Sequence, residues 1–216
     1  MSCPAVSRLA GIYPLIDDDP RWGADPRALV EATLAGGVTV LQLRLKHMPD
    51  SEALTLCSWA TRRAREAGAL LIVNDRFDLA DLSDADGVHL GQDDLQPERI
   101  PSELRRRLLV GLSTHTLAQV RASRERPVDY IAFGPVFGTR SKTSEYGPRG
   151  TDALAEAVQA AHRPVVAIGG ITETNLPLVR ASGAKAAAVI SAIASADDPA
   201  EATRRLRTRF DIPPEG

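Results

Sequence analysis

Gln42, Arg44 and Lys46 alternate with Leu41, Leu43 and Leu45 at the end of the apolar run 38–41. A strand reverses side-chain direction at every residue, so the three polar groups leave one face together. On a face turned toward a buried side, two cations and an amide need an anion or a carboxylate to meet them. On an edge strand the same face would simply be solvated. The pattern of an apolar run turning polar at its C-terminal end recurs along the chain. Such runs end at Asn74-Asp75, at His89 with Gly91-Gln92-Asp93-Asp94 following, at Ser113-Thr114-His115, at Gly169-Gly170 and at Ile190-Ser191. The run ending at Phe133 enters a long segment, 134–150, that carries Thr139, Arg140, Ser141 and Lys142.

These residue types suggest anion chemistry. Gly169-Gly170 lets backbone N–H groups approach a phosphate closely, and Ser191 adds a hydroxyl; a tight turn alone would also use the glycines. Asp75 and Asp94 follow adjacent runs and can converge on one point. They could form salt bridges with Arg44 and Lys46, or hold Mg²⁺, which takes one or two carboxylates together with water and phosphate oxygens. Cations and a metal together suit a diphosphate better than a monophosphate. Asp93 reads as a solvated neighbour. The hydroxyl-rich, basic stretch 138–144 is longer than an ordinary connection, which favours a lid or phosphate clamp over a plain linker. His89 is expected to face a strand neighbour or orient a loop and is given no catalytic role. His115 is left open, and His47 and His162 read as surface residues.

The elements that must position these groups alternate from end to end. Strands are expected at Gly11–Ile16, Thr39–Leu43, Leu70–Asn74, Gly87–Leu90, Leu109–Leu112, Tyr130–Phe133, Val165–Ile168 and Ala187–Ile190. Helices are expected at Pro26–Leu34, Ser51–Glu66, Leu117–Ser123, Thr151–Ala161, Thr174–Arg180 and Pro199–Thr208. Asp25-Pro26 and Asp198-Pro199 read as N-cap and first-turn pairs, and Gly36, Gly68 and Gly183 as helix ends. Alternating strands and helices mean a parallel sheet covered by helices, and the strand count is the one at which a barrel closes. The expectation is an α/β fold, a single-domain (β/α)₈ TIM barrel over 1–216 with a frayed tail at 211–216. Such a barrel gathers its functional residues at the C-terminal ends of its strands, where the polar groups above lie.

A net charge of −2 over 216 residues creates no field for nucleic acid or an anionic membrane. Two cysteines are too few for a disulfide framework, and Cys57 reads as a packed thiol in a helix. With no transmembrane run and no leader pattern, a cytoplasmic setting is expected.

Taken in order, Gln42-Leu-Arg44-Leu-Lys46, Val73-Asn-Asp-Arg76, Gly87-Val-His-Leu-Gly-Gln-Asp-Asp94, Gly111-Leu-Ser-Thr-His-Thr116, Gly134-Pro-Val-Phe137, Ile168-Gly-Gly-Ile171 and Val189-Ile-Ser-Ala192 resemble the thiamine-phosphate synthase family. The resemblance implies a Mg²⁺-assisted transferase. It would join hydroxymethylpyrimidine diphosphate to hydroxyethylthiazole phosphate through a dissociative step. The pyrimidine diphosphate contacts would be Gln42, Leu43, Arg44, Leu45, Lys46 and Asn74, with Ser113 and Lys142 in addition and Tyr13 near the pyrimidine. Asp75 and Asp94 match the Mg²⁺ ligands. Thr139, Arg140, Ser141, Gly170, Ile190 and Ser191 match the thiazole phosphate site. Arg44, Ser113 and Lys142 are the residues expected to act on the reacting group.

The chain departs from that pattern in the clamp, where Gly138-Thr139-Arg140-Ser141-Lys142 replaces proline with glycine and the second threonine with serine, keeping the hydroxyl. Leu45 stands where an acidic residue is common. A thiazole tautomerase of the same family is the nearest alternative, and a non-catalytic barrel that binds a phosphorylated ligand is a third. Retention of Asp94 and of Lys142 favours the synthase.

Overall fold

The computed structural model describes residues 4–139 and 146–211. Eight parallel strands form a closed barrel in which each pairs with its neighbours in sequence and the first pairs with the eighth. They are β1 (Gly11–Asp17), β2 (Val40–Arg44), β3 (Leu70–Asn74), β4 (Gly87–Leu90), β5 (Leu109–Thr114), β6 (Tyr130–Phe133), β7 (Val165–Ile168) and β8 (Ala186–Val189). The helices among the described residues are α1 (Pro26–Ala35), α2 (Asp50–Glu66), α3 (Phe77–Leu82), α4 (Ser102–Arg107), α5 (Leu117–Ala122), α6 (Gly150–Ala160), α7 (Leu176–Ala181), α8 (Ser191–Ala194) and α9 (Pro199–Asp211).

The two-residue period of the strands produces two apolar layers. Val40, Leu70, Ile72 and Val166 fill the barrel with Tyr13 and Tyr130. Their neighbours Leu41, Leu43, Leu71 and Val73 point outward against Leu56, Ala60 and Val120 of the helices. Leu43 and Leu45 therefore pack into the outer layer, Leu43 wholly buried, and their side chains turn away from the barrel interior. Any substrate contact from these two positions is limited to backbone.

The helix starts follow the expected capping. Asp25 accepts the Arg27 N–H and Asp198 accepts the Glu201 N–H, each carboxylate satisfying a donor the first turn leaves open. Gly36 ends α1 in a right-handed conformation, and the left-handed turn falls one residue later, at Gly37 (φ 82°). The expected strand ending at Ile190 stops at Val189, and Ile190 instead leads into α8. α9 runs to Asp211, so the first residue of the expected frayed tail is helical, and the rest of it, 212–216, lies outside the described residues. Cys57 is buried in α2, and loss of hydration pushes its thiol up to about 12.

Candidate active site

The C-terminal ends of the strands surround a cavity of about 470 Å³. Its wall includes Tyr13, Gln42, Arg44, Asn74, Ser113, Thr139, Gly170, Ile190 and Ser191 from the expected set. His89, Asp93 and His115 line it as well. Arg140, Ser141 and Lys142 lie outside the described residues. His47 and His162 are exposed, as expected.

Gln42 and Arg44 leave β2 on the same side and reach the cavity, whereas Lys46 lies beyond the strand end, with its ammonium on the Asp75 carboxylate. Arg44 Nη1 donates to Asp17 Oδ2 at 2.8 Å, and Asp17 is only 2% exposed. Asp18 fastens the loop after β2: its carboxylate accepts the N–H groups of Lys46 (2.8 Å), His47 (2.9 Å) and Met48 (2.8 Å). Neither aspartate was expected at the site. The signal was the run Asp17-Asp18-Asp19 at the C-terminal end of β1, where barrels place function.

Arg44→Ala would strip Asp17 of its cation while leaving the carboxylate buried. Because the Arg44 side chain keeps 18% of its exposure, the cost is set below that of a fully buried pair, at about 2–3 kcal/mol of stability. Urea denaturation measures this; adding Asp17→Asn should recover most of the stability and none of the turnover. An unchanged midpoint for Arg44→Ala would show that the pair contributes nothing.

Asp75 and Asp94 do converge. Asp75 sits at φ 61°, sparsely populated for a residue with a side chain, and its N–H donates to the His89 carbonyl at 2.8 Å. Asp94 Oδ2 accepts the Gly91 N–H at 2.6 Å. Burial, then a hydrogen bond with the Asp75 carboxyl, pushes Asp94 above the usual carboxylate range. Among the described residues no group of three or more His, Cys, Asp or Glu side chains is placed to hold a metal ion. This pair still fits a hard cation such as Mg²⁺, which needs only one or two carboxylates and completes its shell with water and phosphate oxygens. Asp93 is exposed at the rim, as a solvated neighbour would be.

Across the cavity, Gly169 (φ 100°) and Gly170 (φ 63°) turn the chain after β7 against the segment that follows β6. Val136 N–H donates to the Ile168 carbonyl at 2.8 Å and Phe137 N–H to the Gly169 carbonyl at 3.0 Å, tying the two loops together. Asn175 Nδ2 holds the Gly170 carbonyl at 2.9 Å. Ile190 and Ser191 complete this wall at the start of α8, the position where barrels commonly hold a phosphate.

His115 donates from Nδ1 to the Gly134 carbonyl at 2.7 Å, and its ring stacks on Tyr146 with centroids 4.4 Å apart. His89 faces strand neighbours, as expected: its ring nitrogens bond Tyr130 Oη at 3.1 Å and Ser113 Oγ at 3.0 Å. Tyr130 carried no sequence signal beyond an aromatic in an apolar run.

Comparison with known proteins agrees with this geometry. Residues 12–193 match the family model described as thiamine monophosphate synthase. The chain is 47% identical over 177 residues to the thiamine-phosphate synthase of Synechococcus sp. (strain WH7803), covering 82% of this chain and 50% of that protein. It is 43% identical over 208 residues to the thiamine-phosphate synthase of Anaeromyxobacter dehalogenans (strain 2CP-C), covering 95% and 90%. The chain thus spans half the length of the first relative and nine-tenths of the second. Among solved structures, the thiamine phosphate pyrophosphorylase from Pyrococcus furiosus superposes with a TM-score of 0.86 at 33% identity, covering 95% of this chain and 97% of that one. With the match reaching from β1 to α8 and taking in the polar strand ends in between, the chain belongs to the thiamine monophosphate synthase family.

Proposed function

We propose that the chain acts as a thiamine-phosphate synthase, transferring the hydroxymethylpyrimidine group from its diphosphate to hydroxyethylthiazole phosphate. The products are thiamine phosphate and pyrophosphate. The observation that carries this reading is that cations and a carboxylate pair gather on one side of the barrel mouth, and a glycine turn with a hydroxyl on the other. Arg44 ends β2, Lys46 and the Asp75–Asp94 pair follow β2, β3 and β4, and the glycine turn and Ser191 lie after β7 and β8.

In the reaction the bond between the pyrimidine methylene carbon and the diphosphate oxygen breaks, and its electron pair leaves with the diphosphate. The lone pair of the thiazole nitrogen then forms the new carbon–nitrogen bond, with no net proton transfer. Arg44, held in place by Asp17, and Lys46, on a loop fixed by Asp18, meet the diphosphate as prepositioned cations. Asp75 and Asp94 would hold Mg²⁺, which would supply positive charge against the charge gathering on the departing group. Gln42, Asn74, Ser113 and Tyr13 orient the pyrimidine. Gly170, Ile190 and Ser191 hold the thiazole phosphate so that its nitrogen faces the methylene carbon, the proximity effect that a two-substrate reaction needs. Thr139 adds its hydroxyl. Arg140, Ser141 and Lys142 are assigned through the family's clamp motif, Lys142 to the diphosphate. Small soluble substrates support a cytoplasmic setting; among the described residues no helix is long and apolar enough to cross a membrane.

The test is to combine both substrates with and without Mg²⁺ and separate the products by chromatography. Thiamine phosphate and pyrophosphate should appear in equal amounts and only with the metal. An isomerase acting on the thiazole phosphate alone would release no pyrophosphate. No product under any metal condition would overturn the proposal.

A further inference from the structure

Five polar side chains, each from a different strand, form one hydrogen-bonded chain across the barrel. Gln42 Nε2 donates to Tyr13 Oη at 2.9 Å, and Tyr13 Oη meets Tyr130 Oη at 3.1 Å. Tyr130 Oη meets His89 Nδ1 at 3.1 Å, and His89 Nε2 meets Ser113 Oγ at 3.0 Å. Both ends, Gln42 and Ser113, line the cavity, whereas Tyr130 in the middle is 0% exposed and forms no part of its wall.

Strand β5 makes room for this contact. Gly111 sits inside the strand, where a glycine ordinarily weakens pairing and often marks a close approach. A Cβ there would collide with the Tyr130 ring and with His89 Nδ1. The His89 and Tyr130 rings lie with centroids 5.4 Å apart over that gap.

The direction of the chain follows from its first link. Burial holds both phenols well above the ordinary tyrosine value, so each keeps a hydrogen to place. With Gln42 donating, the Tyr13 hydrogen goes to Tyr130 and the Tyr130 hydrogen goes to His89 Nδ1. A neutral His89 then carries its proton on Nε2 and donates to Ser113 Oγ. The hydroxyl hydrogen of Ser113 is thereby turned away from His89. At the opposite end Gln42 Oε1 is buried with no hydrogen-bond partner among the described residues. Turning the Gln42 amide over would reverse every link and make Ser113 the donor to His89.

We propose that Tyr130 is a positioning residue that acts through His89 to fix Ser113 as a hydrogen-bond donor to substrate. The assignment rests on Ser113 contacting substrate in the proposed reaction. The tautomer of His89 can be read without any substrate, so a failed relay is distinguishable from a failed reaction scheme.

The test uses the full chain with Tyr130→Phe, Ser113→Ala and the double variant. In the ligand-free wild type, ¹⁵N shifts of the His89 ring should show a lone pair at Nδ1 and an N–H at Nε2. Tyr130→Phe keeps the ring in the core and should turn this into a mixture of tautomers. It should also lower kcat/KM about tenfold, the size expected for one hydrogen bond lost from the transition state. In the Ser113→Ala background the same substitution should have no further effect, because a residue that acts through Ser113 has nothing left to act on. A wild-type His89 protonated on Nδ1 overturns the proposal even if Tyr130→Phe does not fold. Effects of the two substitutions that simply multiply overturn it as well, since they would make Tyr130 an ordinary packing residue.

Discussion

Asp75→Asn and Asp94→Asn should each lower turnover by about 10²–10³-fold while the barrel stays folded. The loss is large because the two carboxyls share one site, and a neutral amide is a poor ligand for a hard cation. Stability should change little. The Lys46 side chain is 42% exposed, so its ion pair with Asp75 contributes at most about 1 kcal/mol. An asparagine oxygen at position 94 can still accept the Gly91 N–H. Calorimetric titration with Mg²⁺ in the presence of pyrophosphate, together with turnover at limiting Mg²⁺, checks both positions. A variant that turns over normally at limiting metal identifies a residue that is not a ligand.

Gly170→Ala should have a comparably large effect by a different route. At φ 63° a Cβ is strained, and this one would collide with the Gly138 carbonyl and approach Phe137 Cβ to 2.9 Å. The expected cost is about 1–3 kcal/mol of stability, with loss of the turn proposed to cradle the thiazole phosphate. Ser191→Ala provides the contrast. Ser191 is exposed, so stability should move by no more than about 0.5 kcal/mol, while thiazole phosphate affinity falls about tenfold with the hydroxyl. Thermal denaturation and calorimetry with each substrate separate the two effects. Equal weakening toward both substrates in Ser191→Ala would mean that the cavity holds one anion site rather than two.

The strands were legible because a barrel strand is short, apolar and bounded by polar residues, a local pattern that needs no knowledge of its partners. β3, β4, β6 and β7 match their expected bounds residue for residue. The misses are short helices. α3 and α4 have six residues each and α8 has four; α5 and α7 also have six and were expected, so length alone does not decide which short helix is legible. Their helical state is set by the barrel they close. At the site, the residues at the ends of strands could be read, and so could the convergence of Asp75 with Asp94, because adjacent strands place their ends side by side. Tyr13 with Tyr130 could not, since these partners lie 117 residues apart on β1 and β6 and meet only across the barrel interior; Asp17 with Arg44, at the ends of adjacent β1 and β2, was overlooked. The expectation that Gln42, Arg44 and Lys46 share one direction held for the first two. Lys46 lies beyond the end of β2, in the loop that Asp18 holds, so strand alternation does not govern its direction.

The pairing of β1 with β8 has a consequence in time. Of the groups assigned to the diphosphate, Arg44, Lys46, Asp75 and Asp94 come from segments made early, and the glycine turn and Ser191 come from segments made late. Until β8 emerges, β1 presents an unpaired edge and the thiazole phosphate has no complete seat. A ligand that binds only the folded form stabilises it in proportion to its saturation. Thiazole phosphate should therefore protect the finished ring and leave a chain stopped before Ala186 unprotected, making the second substrate a reporter of ring closure during synthesis.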